Sequence, residues 1–114
     1  MIEQLSTLQQ TAVNSPAEKK AFDILVLDLR NRSDLTDFFM ICSGNSKVHV
    51  QSVVDAILDN CYQTHNKPLA IEGYSGGNWI VVDLGDLIVH IFQKEARLQY
   101  DLERLWGDVP VIKA

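Results

Sequence analysis

The spacing of apolar residues changes several times along the chain, and each change predicts a different element. Apolar side chains three and four positions apart predict a helix over residues 1–14. Residues 24–27 and 38–42 are unbroken apolar runs too short for helices, which is typical of strands covered on both faces. Helical spacing then returns and predicts an amphipathic helix over residues 46–65, with Ser46 as its N-cap.

The second half of the chain is predicted to contain three short strands and one helix. The strands cover residues 69–72, 79–84 and 87–92, with glycine-containing turns between them, and the helix covers residues 95–105. The whole order predicts an α/β (α+β) fold, with a mixed five-stranded sheet flanked by helices.

The chain has 114 residues, of which 46% are apolar, so it is the size of one globular domain. Within it we expect an N-terminal helical segment at residues 1–22, an α/β domain at residues 23–108 and a short tail at residues 109–114. No repeat or low-complexity tract interrupts this division.

Composition narrows the classes of partner. Fifteen acidic and ten basic residues give a net charge of −5. This is the wrong sign for direct binding to the phosphates of nucleic acid, and it favours a basic protein surface as the partner. Cys42 and Cys61 lie in apolar runs without metal-ligand spacing, so we expect buried thiols, no metal and no cofactor. We expect a cytoplasmic protein without a membrane partner, because the sequence has neither a bilayer-length apolar stretch nor a leader pattern.

The most biased segment is a predicted hairpin that contains no lysine or arginine. A two-residue loop at 84–85 would place Trp79 opposite His90 and Asp83 opposite Asp86 on one face, while the other face is wholly apolar. Leucine is a poor residue for the left-handed geometry of such a loop, so a bulged turn that shifts the register by one is the alternative.

Asp83 and Asp86 have two interpretations. As a like-charge cross-strand pair they would repel each other, and a cation from a partner would relieve the repulsion. Alternatively, each carboxylate hydrogen-bonds a backbone N–H of the turn. Trp79 on the same hairpin favours a partner contact, because tryptophan is enriched at the energetic centres of interfaces.

An enzymatic interpretation starts from the loop between the second strand and the main helix. Backbone N–H groups at Gly44 and Ser46 could cradle a phosphate, as in a metal-dependent nucleotidyltransferase or a nucleotide-binding module. That chemistry needs carboxylates that converge on metal ions, but the two-apart pair Asp101 and Glu103 lies on a predicted helix and diverges. We therefore expect no catalytic residue, with turn and capping roles in this loop and His49 as its brace.

Five stretches of the sequence together resemble a known family. They read DILVLDLR, TDFFMICSGNSKVHV, KPLAIEG, GNWIVVDLGDLIVHIF and ARLQYDLERLWGD. Residues 22–108 thereby resemble the ribosomal silencing factor family, RsfS, also called Iojap. The resemblance implies a fold similar to nucleotidyltransferases without their active site.

The resemblance also implies a function. Such a protein binds the large ribosomal subunit through ribosomal protein L-fourteen and blocks joining of the small subunit, which represses translation under nutrient limitation. Some members form homodimers, and the absence of a long basic leader fits a bacterial cytoplasmic member. The partner-facing residues carried over by motif are Trp79, Asp83, Asp86, Tyr100, Glu103 and Trp106, and the motif-loop residues are Gly44, Ser46 and His49.

Overall fold

The computed structural model describes residues 5–107 and 109–112. Its helices are α1 (Thr7–Asn14), a 3₁₀ helix (Pro16–Lys19), α2 (Lys47–Gln63), α3 (Lys94–Tyr100) and α4 (Leu102–Leu105). Its strands are β1 (Phe22–Asp28), β2 (Phe38–Gly44), β3 (Ala70–Glu72), β4 (Trp79–Asp83), β5 (Leu87–Gln93) and β6 (Val111–Ile112). Residues 1–4, within the predicted first helix, and Asp108, the predicted end of the α/β domain, lie outside the described residues.

The strands form one mixed sheet in the order β3-β4-β5-β2-β1-β6. Strands β2 and β5 are parallel, and every other neighbouring pair is antiparallel. The predicted mixed sheet is confirmed, but the count of five strands is wrong. The sixth strand pairs Ile112 with Val26 and Val111 with Leu27. Two residues are too few to show an alternating pattern, so the sequence did not predict this strand.

The two faces of the sheet are covered unequally. One face packs against α1 and α2, where Ala12, Val13, Val53 and Ile57 are fully or almost fully buried. The other face has its own apolar cluster, to which the C-terminal part of the chain contributes Ala96, Leu102, Trp106 and Val109. Helix α1 therefore shares one core with α2 and the sheet.

Helix α2 begins as the sequence predicts. The Ser46 hydroxyl accepts a hydrogen bond from the His49 backbone N–H at 3.1 Å, which satisfies one of the free donors of the first turn. The helix ends at Gln63, two residues before the predicted end. Among the described residues, no helix is both long and apolar enough to cross a membrane.

The predicted single helix over residues 95–105 is broken at Asp101. This residue has a φ of 47°, in the left-handed region that ends a helix, and its backbone N–H donates to the Arg97 carbonyl. The chain then starts the short helix α4 in a new direction. The break leaves Leu98 and Leu105 83% and 75% exposed instead of buried together on one stripe.

The hairpin of β4 and β5 has a different register from the one predicted. Trp79 pairs with Phe92, and Asp83 pairs with Ile88. Its turn has Gly85 at the first central position with a φ of 93°, the sign that a type II′ turn requires. The observed loop lies one residue later than predicted, because Gly85 takes the left-handed position, while Leu84 follows the end of β4 and donates its N–H to the Leu87 carbonyl. The partners thus shift by two, which keeps every side chain on its predicted face.

Candidate protein-docking face

Six rings lie together on the sheet face opposite α1 and α2. We call this group the aromatic face; it comprises Phe39, Trp79, His90, Phe92, Tyr100 and Trp106. Trp79 stacks on Phe92 with ring centroids 5.0 Å apart and lies 4.8 Å from Tyr100. At the other side of the group, Phe39 contacts Trp106 edge to face at 5.8 Å. The rings come from strands β2, β4 and β5, from the end of α3 and from the residue that follows α4.

Trp79 is held in place by a buried histidine. Its indole N–H donates to Nδ1 of His90 at 3.0 Å. The neutral His90 ring therefore carries its proton on Nε2, which has no hydrogen-bond partner among the described residues. Burial lowers the pKa of His90 to about 4, so the ring stays neutral at pH 7.

The C-terminal helical segment buries the aromatic face only in part. Tyr100 contacts Trp79 through its ring, yet 53% of the residue is exposed. Trp106 and Leu102 pack against the apolar cluster of this face and are only partly buried. Aromatic side chains are enriched at protein–protein interfaces, and several rings of this group keep part of their surface accessible.

The two predicted partner-facing aspartates lie at the turn end of the hairpin. The carboxylate of Asp83 accepts a hydrogen bond from the Gly85 N–H at 2.8 Å. Asp86 is exposed in the turn, where its carbonyl accepts from the Phe38 N–H. The predicted cross-strand pairing of Asp83 with Asp86 is wrong, because Asp83 faces Ile88 across the ladder. For Asp83, the turn-residue interpretation describes its contact.

These aspartates are separated from the predicted tryptophan. Trp79 and Asp83 occupy opposite ends of β4, and four residues of extended strand span about 13 Å. Trp79, Tyr100 and Trp106 therefore belong to one group of rings, whereas Asp83 and Asp86 flank it at the far end of the hairpin.

Glu103 is engaged by a residue that the sequence did not single out. Its carboxylate receives Nε and Nη2 of Arg97 at 2.9 and 3.3 Å. In one continuous helix, residues six apart point in different directions. The pair forms only because the chain breaks at Asp101, so no helical spacing in the sequence signals it.

Hydrogen bonds of the His49 side chain hold the motif loop in place. Nδ1 of His49 accepts from the Asn45 N–H at 2.9 Å, and Nε2 donates to the Lys19 carbonyl at 2.7 Å. A Cβ atom at Gly44 would lie 2.9 Å from Val50 Cγ2, so the close approach of the loop to α2 requires glycine. Together with the Ser46 cap, these contacts give the loop a structural role.

Neither metal nor thiol chemistry finds a site in the described part of the chain. Residues 5–107 and 109–112 contain no group of three His, Cys, Asp or Glu side chains that could hold a metal ion. Cys42 is fully buried, and desolvation raises the pKa of its thiol to about 12. Burial raises the pKa of Cys61 as well, so both thiols stay protonated.

Known proteins are similar to this chain in sequence. Two bacterial proteins named "Ribosomal silencing factor RsfS" are similar to the chain. The one from Halalkalibacterium halodurans is 39% identical over 93% of this chain and 91% of its own length. The one from Bacillus subtilis is 43% identical over 82% and 80%. A mouse protein named "Mitochondrial assembly of ribosomal large subunit protein 1" is 32% identical over 78% of this chain and 40% of its own length.

The fold is similar to a solved structure as well. A crystal structure from Bacillus halodurans covers 94% of this chain and 97% of its own, with 36% identity and a TM-score of 0.83. Residues 2–114 match the family described as "Ribosomal silencing factor during starvation". The resemblance seen in the sequence is thereby confirmed, and the chain belongs to the ribosomal silencing factor family.

Proposed function

We propose that the protein binds the large ribosomal subunit through ribosomal protein L-fourteen and thereby blocks joining of the small subunit. We place this activity in the bacterial cytoplasm. The names of the bacterial relatives, which cover most of this chain, support a silencing role on the ribosome. The mouse relative is named for assembly of the large subunit, which supports that subunit as the partner.

The accessible aromatic face is the observation that carries this proposal. Trp79 lies on β4 and Tyr100 at the end of α3, and both residues keep part of their surface open to solvent. Tryptophan and tyrosine supply much of the binding free energy at interfaces, because they bury large areas while losing few rotatable bonds. A partner that covers the face buries the ring surface that the C-terminal segment leaves exposed.

The charge of the chain supports a basic partner. The chain has a net charge of −5, and Asp86 is exposed at the turn end of the hairpin. Opposite charge on a partner raises the association rate and penalises partners of the same charge. Glu103 contributes less to such attraction than a free carboxylate would, because Arg97 already neutralises it.

Blocking of subunit joining requires no catalysis. A domain 34 Å across, bound near the joining surface, excludes another subunit by volume alone. We infer that the chain is not an enzyme and needs no cofactor. A nucleotidyltransferase would instead bind nucleotide with Mg²⁺, so isothermal titration with ATP, CTP and GTP plus Mg²⁺ tests that alternative. Heat of specific binding would contradict the non-enzymatic proposal.

Sedimentation with separated ribosomal subunits tests the main proposal. We expect the protein to co-sediment with large subunits, to bind purified ribosomal protein L-fourteen and to reduce the formation of joined ribosomes. Trp79→Ala should weaken binding about tenfold or more. Tyr62→Ala is the matched control, because Tyr62 is 49% exposed on α2, the helix on the opposite sheet face.

Two results would contradict the proposal. If the folded Trp79→Ala protein binds as tightly as Tyr62→Ala, the aromatic face is not the docking site. If the free protein forms a dimer that Trp79→Ala dissociates, while no binding to large subunits is seen, the face joins two copies of this chain. Gel filtration with light scattering distinguishes that homodimer from a ribosome-binding monomer.

A further inference from the structure

We propose that Arg97 is a positioning residue that holds the helical side of the aromatic face, and thus Tyr100 and Trp106, in the orientation that binds the partner. The inference rests on the proposed function for its effect on binding. Its structural part concerns the free protein alone. Arg97 is not among the site residues that the sequence predicted.

Arg97 connects three separate parts of the chain. The residue is 8% exposed, and its guanidinium binds Glu103 in the segment that includes α4. Nη1 donates to the Asp23 carbonyl in β1 at 2.6 Å and to the Ser43 hydroxyl in β2 at 2.8 Å. One side chain therefore ties the C-terminal helical segment to two strands of the sheet.

The segment beyond Asp101 needs such a tie. Helix α4 has four residues, none of them buried, and a helix of that length is unstable by itself. The left-handed backbone at Asp101 separates it from α3, so α3 does not extend into it. Trp106 contacts the Phe39 ring and packs on the apolar cluster of this face, and the Arg97 ion pair with Glu103 ties down the helical turn that precedes it.

Arginine suits this position better than lysine. A guanidinium presents N–H donors along different edges of its plane. It can therefore bind Glu103 with one edge and reach the Asp23 carbonyl and the Ser43 hydroxyl with another. A lysine ammonium is a single point charge on a flexible stem. A buried ion pair adds little net stability, because desolvation offsets the attraction, but it does define geometry. Removing Arg97 alone, however, leaves Glu103 unpaired and takes a donor from the Asp23 carbonyl and the Ser43 hydroxyl, so it should lower stability as well as binding.

The test compares Arg97→Met with Arg104→Met in the 114-residue chain. Arg104 is exposed on α4, so its substitution removes the same charge from the same segment without touching the tie. In the free protein, we expect Arg97→Met to raise amide exchange across residues 102–106 about tenfold or more. Arg104→Met should leave that exchange unchanged. If Arg97→Met fails to fold, Glu103→Gln weakens the same tie more mildly.

Binding to large subunits supplies the second measurement. Arg97→Met should weaken it about tenfold, and a Trp106→Ala substitution in that background should add less than it does alone, because contacting residues couple. Multiplying effects would show that Arg97 does not act through Trp106. Unchanged exchange in Arg97→Met would overturn the positioning role itself. If the wild-type protein does not bind large subunits, the proposed function fails, and exchange alone still decides the role of Arg97.

Discussion

The hydrogen bond between Trp79 and His90 can be removed while most of the aromatic face is kept. Trp79→Phe deletes the indole N–H that donates to His90 Nδ1. The phenyl ring still reaches Phe92, on which the indole stacks at 5.0 Å. The substitution therefore tests the buried hydrogen bond separately from ring packing.

The expected cost follows from the surroundings of His90. The residue is 6% exposed, and its Nε2 atom already lacks a partner among the described residues. Without the indole, Nδ1 is also buried without a donor, which costs about 1–3 kcal/mol. With some loss of stacking area, we expect the free energy of unfolding to fall by about 2 kcal/mol. For a domain of this size, that corresponds to a Tm lower by roughly 8 °C.

Urea denaturation of a double-mutant cycle measures this cost. In a His90→Phe background, Trp79→Phe should cost only the lost stacking area, so the coupling free energy should be about 1 kcal/mol or more. Trp106→Phe is the matched control, because it makes the same change on the same face, where the structure shows a ring contact with Phe39. If Trp79→Phe costs no more than Trp106→Phe, or costs the same without His90, the hydrogen bond does not hold the indole.

Three further predictions concern other parts of the molecule. Asp86→Lys should weaken binding to large subunits several-fold without lowering Tm, since its side chain is exposed. Asp83→Lys should also lower the free energy of unfolding by about 1 kcal/mol, because it removes the acceptor of the turn hydrogen bond. Sedimentation measures the binding of both variants, and thermal melts measure their stability. The pKa of His90, lowered to about 4, means that the unfolded state gains a proton first on acidification. Stability should therefore fall from about pH 6.5 to 4 by up to about 3 kcal/mol, and urea titrations of His90→Phe should lack this decrease. Gly44→Ala places a Cβ 2.9 Å from Val50 Cγ2 and should lower the free energy of unfolding by about 1–3 kcal/mol in thermal or urea melts.

The hairpin shows how far local pattern extends. Alternation along residues 79–83 and 87–93 correctly assigned each side chain to its face, although the predicted partners were displaced by two. An even displacement preserves the face, because side chains alternate with a period of two. The pairing of Asp83 depended on which residues formed the turn, and the left-handed preference of Gly85 decided that.

Periodicity and composition alone determined the mixed α+β class, the main helix with its Ser46 cap and the acidic hairpin bearing Trp79. These features depend on neighbours close in sequence, so the sequence records them directly. Tertiary structure decided which rings meet, that β6 closes the edge beside β1, and that Arg97 holds Glu103. Each of these contacts joins residues brought together only by the sheet or by the helix break at Asp101. The free energy that fixes them comes from burial and pairing in the assembled fold, which no local spacing encodes.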